Sequence, residues 1–237
     1  MRVSTHCVYC GVLMNRIVND PHSRTVEHMI PQVSVSIKRT NGEGDFHVCK
    51  KCNSEKSRTD EILGVICRMV GEHKDGSFDA IKSFHKALAR NDSKFIKAFE
   101  SVEHGVKGTS ISLPLTAKEI YRYGMWLGKG VYFILQGELL PERFLVWVEL
   151  ISHGEVNYIK EQYKRQHGSE AFDDLSKNSR IQNINKESFL IADENSRVMF
   201  ICLNRVVMFH IKLLDRTFSN QKKCKKALRS LEKRMRT

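Results

Sequence analysis

The sequence predicts an α+β protein, in which a small N-terminal unit of two strands and one helix, stapled by cysteines, precedes a helix-rich α+β region that includes an antiparallel meander. Three observations carry this reading. Cys7 with Cys10 and Cys49 with Cys52 form two tight pairs, one at each end of the N-terminal unit. Helical spacing of apolar residues sets in near Ser54 and recurs downstream, and from about Glu187 it gives way to short, β-branched apolar runs separated by turn residues.

Residues 1–60 lack a helical period and are rich in turn formers, notably Asn19-Asp20-Pro21 and Asn41-Gly42-Glu43-Gly44. Strands fit between them, at Ser23 to Glu27 and at Asp45 to Val48, with the glycine-bearing stretch as their loop. Ile62, Val65, Ile66, Met69 and Val70 then fall on one helical face, which gives a two-stranded ribbon packed on one helix. Past Gly76, Phe78, Ile81, Phe84 and Leu88 mark a further helix, Asn91-Asp92-Ser93 stops it and caps the next, and Glu103 to Ser112 reads as linker. Thr116 and Glu119 make a capping box that opens a helix through Ile120, Tyr123, Trp126 and Leu127. Glu187 to Ala192, Arg197 to Leu203 and Val206 to Leu213 form the meander, and Phe218 to Thr237 reads as a strongly basic terminal helix. The chain thus divides into an N-terminal module at 1–72, a helical linker region at 73–112 and a C-terminal α+β domain at 113–237.

The chemistry concentrates in the first sixty residues. Two thiolates two residues apart grip one side of a tetrahedral zinc, and a second such pair completes a four-sulfur structural site from Cys7, Cys10, Cys49 and Cys52. The clamp brackets Glu27 and His28 and runs directly into Asn53. Imidazole titrates near neutrality, so His28 is the candidate general base that draws a proton from water for attack on a phosphodiester. Glu27 and the amide oxygen of Asn53 suit a hard divalent cation, magnesium or manganese, that offsets the charge of the transition state. Lys56, three residues after Asn53, falls on the same helical face and reaches toward a phosphate oxygen. Plainer readings stand beside these: His28 bonded to a backbone carbonyl, Asn53 as a helix cap, Lys56 as a solvated lysine. His6, His22 and His47 lie close enough to compete as ligands, and alternation puts His47 on the face of Cys49, where it braces the zinc loop or meets phosphate.

The order Cys-x2-Cys, Glu-His-x-Ile-Pro, Cys-x2-Cys-Asn-x2-Lys resembles the HNH (His-Asn-His, or ββα-metal) endonucleases, in the subgroup reinforced by a four-cysteine zinc. The resemblance covers about the first quarter of the chain. It implies a ββα-metal fold and metal-dependent cleavage of nucleic acid, usually DNA, by a hairpin and helix set at the minor groove. It also implies that His28 is the base, that Glu27 and Asn53 hold the catalytic cation, and that the four cysteines hold structural zinc. The chain departs from the family pattern in carrying Glu27 where many members have Asp, and in lacking the central Asn that braces the loop of the base. Gly44 and Asp45 occupy that region, and Asp45 is the candidate substitute, by accepting the same backbone hydrogen bonds.

The formal charge of +12 on 237 residues favours a polyanionic partner, nucleic acid first and DNA before RNA. Lys50, Lys51, Lys56 and Arg58 are the basic residues nearest the constellation and are assigned to phosphate contacts. The longest apolar run, Val131 to Ile151, is broken by Gln136, Glu138, Pro141, Glu142, Arg143 and Glu149, which excludes a membrane span there. No secretory leader is evident, and a cytoplasmic protein with reduced Cys67, Cys202 and Cys224 is expected. A protein partner or homodimer would use the C-terminal domain. Gly128-Lys129-Gly130 lacks the flanking strand and the closing Ser or Thr of a phosphate loop and is set aside. Two other classes compete with a metal-dependent phosphodiester hydrolase: a non-catalytic zinc ribbon that binds nucleic acid, and a structural protein whose basic tail meets an acidic partner.

Overall fold

At the N-terminus the pattern resolves into two strands, β1 (Arg24–His28) and β2 (Asp45–Cys49), followed without a break by helix α1 (Lys50–Val70) in the computed structural model. The structure describes residues 2–31, 44–70, 95–96, 100, 103–105, 108–110, 113–151, 153–168 and 188–216. The strands pair antiparallel, with Arg24 opposite Cys49 and His28 opposite Asp45. α1 begins four residues before Ser54, where the helical pattern sets in, because its leading N–H groups find partners outside the helix: Lys50 donates to the carbonyl of Ser23 at 2.8 Å and Lys51 to that of Pro21 at 2.9 Å.

The stretch read as linker carries a short antiparallel pair, β3 (Glu103–Gly105) and β4 (Gly108–Ser110), with Gly105 opposite Gly108. The helical stripe from Phe78 to Leu88, the Asn91-Asp92-Ser93 stop and the basic tail from Phe218 lie outside the described residues.

Helix α2 (Ala117–Gln136) starts where the capping box predicts, with Thr116 and Glu119 exchanging bonds, and ends at Gly137, whose φ of 82° is a left-handed conformation that glycine adopts without strain. Strand β5 (Phe144–Ile151) follows. The Val131 to Ile151 run is therefore helix end, turn and strand, and among the described residues no helix is long and apolar enough to cross a membrane. The remaining elements are helix α3 (His153–His167), β6 (Phe189–Ala192), β7 (Val198–Leu203) and β8 (Val207–Asp215). The last three form the expected meander, and β5 joins it on β8, giving a four-stranded antiparallel sheet in the order β5-β8-β7-β6. The sequence reading left out β5 and α3. β5 was hidden inside an apolar run shared with α2, and α3 buries little besides Val156, so it shows almost no apolar stripe.

α2 lies between the ribbon and this sheet. Two glycines permit the close approach: a Cβ on Gly124 would meet Val148 of β5 at 2.2 Å, and one on Gly130 would meet the ring of Phe46 of β2 at 2.7 Å. Gly128-Lys129-Gly130 is thus helix interior. Strand alternation sends Val146, Val148, Phe209 and Ile211 toward α2, while Met208 and Cys202 face Val156 of α3. One continuous buried cluster runs from Cys7, Met29, Ile30 and Phe46 through Trp126 and Leu127 to Ile201 and Ile211, so the ribbon and the sheet share a core. Tyr9 stacks on Trp126 with ring centres 5.8 Å apart, and the Lys129 ammonium donates to the Tyr9 carbonyl.

Candidate active site

The clamp is the best-defined part of the site. Residues 7 to 11 turn tightly, with Gly11 donating to the Cys7 carbonyl at 2.8 Å from a φ of 75°. The Sγ atoms of Cys7, Cys10, Cys49 and Cys52 all lie within 4.8 Å of one another, and that of Cys10 is 3.8 Å from that of Cys49. A zinc tetrahedron with sulfur at 2.3 Å has edges of about 3.8 Å, so these four residues are positioned to bind a metal ion and are compatible with structural zinc. Their protons are unequal. A hydrogen bond from Cys52 and backbone N–H groups pull the Cys7 thiol down to about 4, against burial, while burial pushes Cys49 up to about 11. Cys67 and Cys202 are buried free thiols, Cys202 pushed up to about 12 by burial, and Cys224 lies outside the described residues.

Neighbours in sequence, Glu27 and His28 project to opposite sides of β1, as alternation requires. His28 ends the strand with its side chain 37% exposed, and its Nδ1 lies 3.0 Å from the fully buried Oδ1 of Asp45, the residue directly across the ribbon. A carboxylate only accepts, so Nδ1 carries the hydrogen, and in the neutral ring Nε2 keeps its lone pair. Asp45 therefore braces the imidazole by a direct side-chain bond, a different contact from the backbone bonds expected of a central Asn.

Glu27 is 2% exposed, and its carboxylate is 2.7 Å from the Lys56 ammonium. Lys56 also bonds both carboxylate oxygens of Asp60, at 2.9 and 3.0 Å, one helical turn on. Tyr123 of α2 donates to Asp60 at 2.7 Å and sets its ring 5.1 Å from the ammonium. The two carboxylates outweigh the cost of burial and hold the Lys56 proton more tightly than in an ordinary lysine. Burial raises the Glu27 carboxyl, with Lys56 pulling the other way. The Tyr9 hydroxyl, also fully buried, stands beside Glu27 yet completes no hydrogen bond of good geometry.

The assignment of Lys56 to phosphate contact is corrected by this geometry: its side chain is wholly buried and its ammonium is committed to Glu27 and Asp60. Asn53 uses its amide Nδ2 on the Thr25 hydroxyl at 3.0 Å and the Val26 carbonyl at 3.2 Å, which ties α1 to β1. As candidate cation ligands, Glu27 and Asn53 offer hard oxygen donors, but Glu27 is buried on the Lys56 ammonium while Asn53 is engaged with Thr25 and Val26. In this structure, Lys56 stands on the Glu27 oxygen such a cation would need. His47 is buried with Nδ1 unpartnered, and burial lowers its pKa, with Arg24 adding to the fall.

The other basic candidates sit together. Lys50, Lys51 and Arg58 line an open groove of about 440 Å³ at the start of α1, with Asn19, Pro21, Ser54 and Glu55. Lys50 is held by Asn19 at 3.0 Å, and Glu55 is offset by Arg122 at 3.6 Å, which leaves the groove basic. His6 and His22 are exposed on the N-terminal loops.

Sequence reasoning missed Asp60, Tyr9 and Tyr123. The signal that could have found Asp60 is its spacing from Lys56, four residues on a helix. The two tyrosines carried no local signal, because their roles arise only when the clamp and α2 pack together. Comparison of the chain with protein-family models, with curated proteins and with solved structures finds no match.

Proposed function

We propose that this protein is a metal-dependent endonuclease of HNH type that hydrolyses phosphodiester bonds in nucleic acid, with DNA as the favoured substrate. The observation that carries the reading is the Asp45–His28 pair, a buried carboxylate fixing the tautomer of a half-exposed imidazole at the end of a ribbon anchored by four cysteines. With Nδ1 held by Asp45, Nε2 takes a proton from water; the hydroxide attacks phosphorus as the bond to the leaving sugar oxygen breaks, and that oxygen takes a proton from solvent. A cation held by Glu27 and Asn53, magnesium or manganese, supplies charge stabilisation at the phosphate when bound. Lys50, Lys51 and Arg58 hold the backbone of the substrate in their groove, supported by the +12 charge of the chain.

The test is plasmid nicking by zinc-loaded protein across a metal panel with a chelator control. His28→Ala is expected to lower the rate by about 10²–10⁴-fold, the usual contribution of a general base, with zinc content and circular dichroism unchanged. Cutting that survives in His28→Ala rejects the assignment. A second reading, a zinc ribbon that binds nucleic acid without cutting it, is favoured by one observation, the hold of Lys56 on Glu27. It predicts salt-sensitive binding and no metal-dependent product.

A further inference from the structure

Resting on the endonuclease reading above, we infer that Arg24 is a positioning residue, which holds a phosphate of the nucleic-acid strand at a distance from the phosphate attacked beside His28. The strand then lies along one face of β1, from the basic groove to the imidazole.

Alternation divides β1 into two faces. Thr25 and Glu27 turn to α1, where Asn53 and Lys56 meet them. Arg24, Val26 and His28 share the other face, across from Cys49, His47 and Asp45. That face meets solvent: Val26 is 36% exposed although apolar, and the His28 side chain is 37% exposed. Arg24 is half-buried and forms no ion pair among the described residues. Its charge stands over the ribbon, since it bears on His47, the residue opposite Val26. A guanidinium without a carboxylate suits phosphate, because it is permanently charged and donates in two prongs.

One path joins the groove to the imidazole. Pro21, Lys50 and Lys51 line the groove, and Lys50 donates its backbone N–H to the carbonyl of Ser23 at 2.8 Å. Arg24 follows Ser23 directly, and Val26 and His28 continue the same face. Four steps of strand set Arg24 and His28 about 13 Å apart, whereas a nucleic-acid strand advances about 3.4 Å per nucleotide in a duplex, so the two side chains address different phosphates. Val26, between them, offers an apolar surface to the sugars.

A substrate with a single phosphodiester has nothing for a remote arginine to hold, and this supplies the test. Zinc-loaded full chain with added Mn²⁺ is assayed on DNA and on bis(4-nitrophenyl) phosphate. Arg24→Gln is expected to raise KM on DNA about tenfold with kcat unchanged, the scale of one charge-assisted contact, and to leave hydrolysis of the small ester as in the wild type. It is also expected to lower the slope of log affinity for DNA against log salt by about 0.7–0.9, the share of one phosphate. Arg24→Lys, which keeps the charge, is expected to restore the slope and part of KM. An unchanged KM and slope in Arg24→Gln overturn the role of Arg24 and leave the endonuclease reading standing. A fall in kcat, a loss on both substrates or a loss of zinc also overturns it, because Arg24 then serves the clamp or the attacked phosphate. Failure of the wild type to cut DNA, or undiminished cutting in His28→Ala, overturns the endonuclease reading and the role of Arg24 with it.

Discussion

The ribbon with α1 and the sheet with α2 share one apolar core, yet they bury different chemistry. Glu27, Asp45, His47 and Lys56 are the fully buried acidic, basic and imidazole side chains among the described residues, and all four belong to β1, β2 or the first two turns of α1. Around the sheet the buried polar side chains are Ser188, Ser196 and Asn204, small and uncharged, amid Val, Ile, Leu, Met and Phe. Apolar burial stabilises a fold without further conditions, whereas buried ions stabilise it only when each finds its partner. Perturbed titratable groups gather at functional sites, and this contrast is what supports placing the proposed site in the ribbon.

The largest break in the comparison comes from the clamp. Structural zinc contributes on the order of 10 kcal/mol to small domains that depend on it. Cys49→Ser is expected to lose the metal and leave the amides of β1, β2 and the first turns of α1 exchanging like an unfolded chain, while β5, β7 and β8 keep their protection. Metal analysis and residue-level hydrogen exchange read both. A ribbon that stays protected without metal would show that packing on α2 alone sustains it.

A smaller effect is expected where the two regions touch. Phe46 is completely buried, edge-on to Tyr9 and to Phe133 of α2, and Phe46→Ala is expected to cost about 3–5 kcal/mol in denaturant unfolding. Gly130→Ala presses on the far end of the same ring, which a small tilt relieves, and should cost roughly 1 kcal/mol. Gly124→Ala meets both γ-methyls of the β-branched Val148 in the sheet, where nothing gives easily, and should cost about 3 kcal/mol. Equal losses at the two glycines would mean that the ribbon sits as rigidly on α2 as the sheet does.

The same contrast explains what could be read from the sequence. The clamp, the capping box and the meander were legible because each is a local pattern: cysteine spacing, Thr116 with Glu119, and short apolar runs broken by turns from Glu187 to Leu213. Side-chain partners across the ribbon were not, since the distance in sequence from His28 to Asp45 does not fix the register that sets them opposite each other. Lys56 was misjudged for a related reason. Its place three residues after Asn53 gives a helical face but not what covers that face, and the cover is Tyr123, 67 positions away in the chain. β5 and α3 were missed because one lacked a visible boundary and the other an apolar stripe.

The smallest effect separates the polar network from the apolar core by pH. Burial lifts the Glu27 carboxyl above the ordinary 4.5 even though Lys56 favours its charged form. The unfolded chain therefore gives up this proton first as pH rises, and ionising Glu27 in the folded state costs stability. The contribution is fully present below about 4.5 and is lost as pH climbs through the raised folded value. The melting temperature of the wild type, less that of Glu27→Gln, should fall as pH is increased from 4.5, whereas substitutions in the sheet core should show a constant difference. A difference that grows with pH would mean that the pull of Lys56 outweighs burial at Glu27, and that the carboxylate is held as a stable ion pair instead of a strained one.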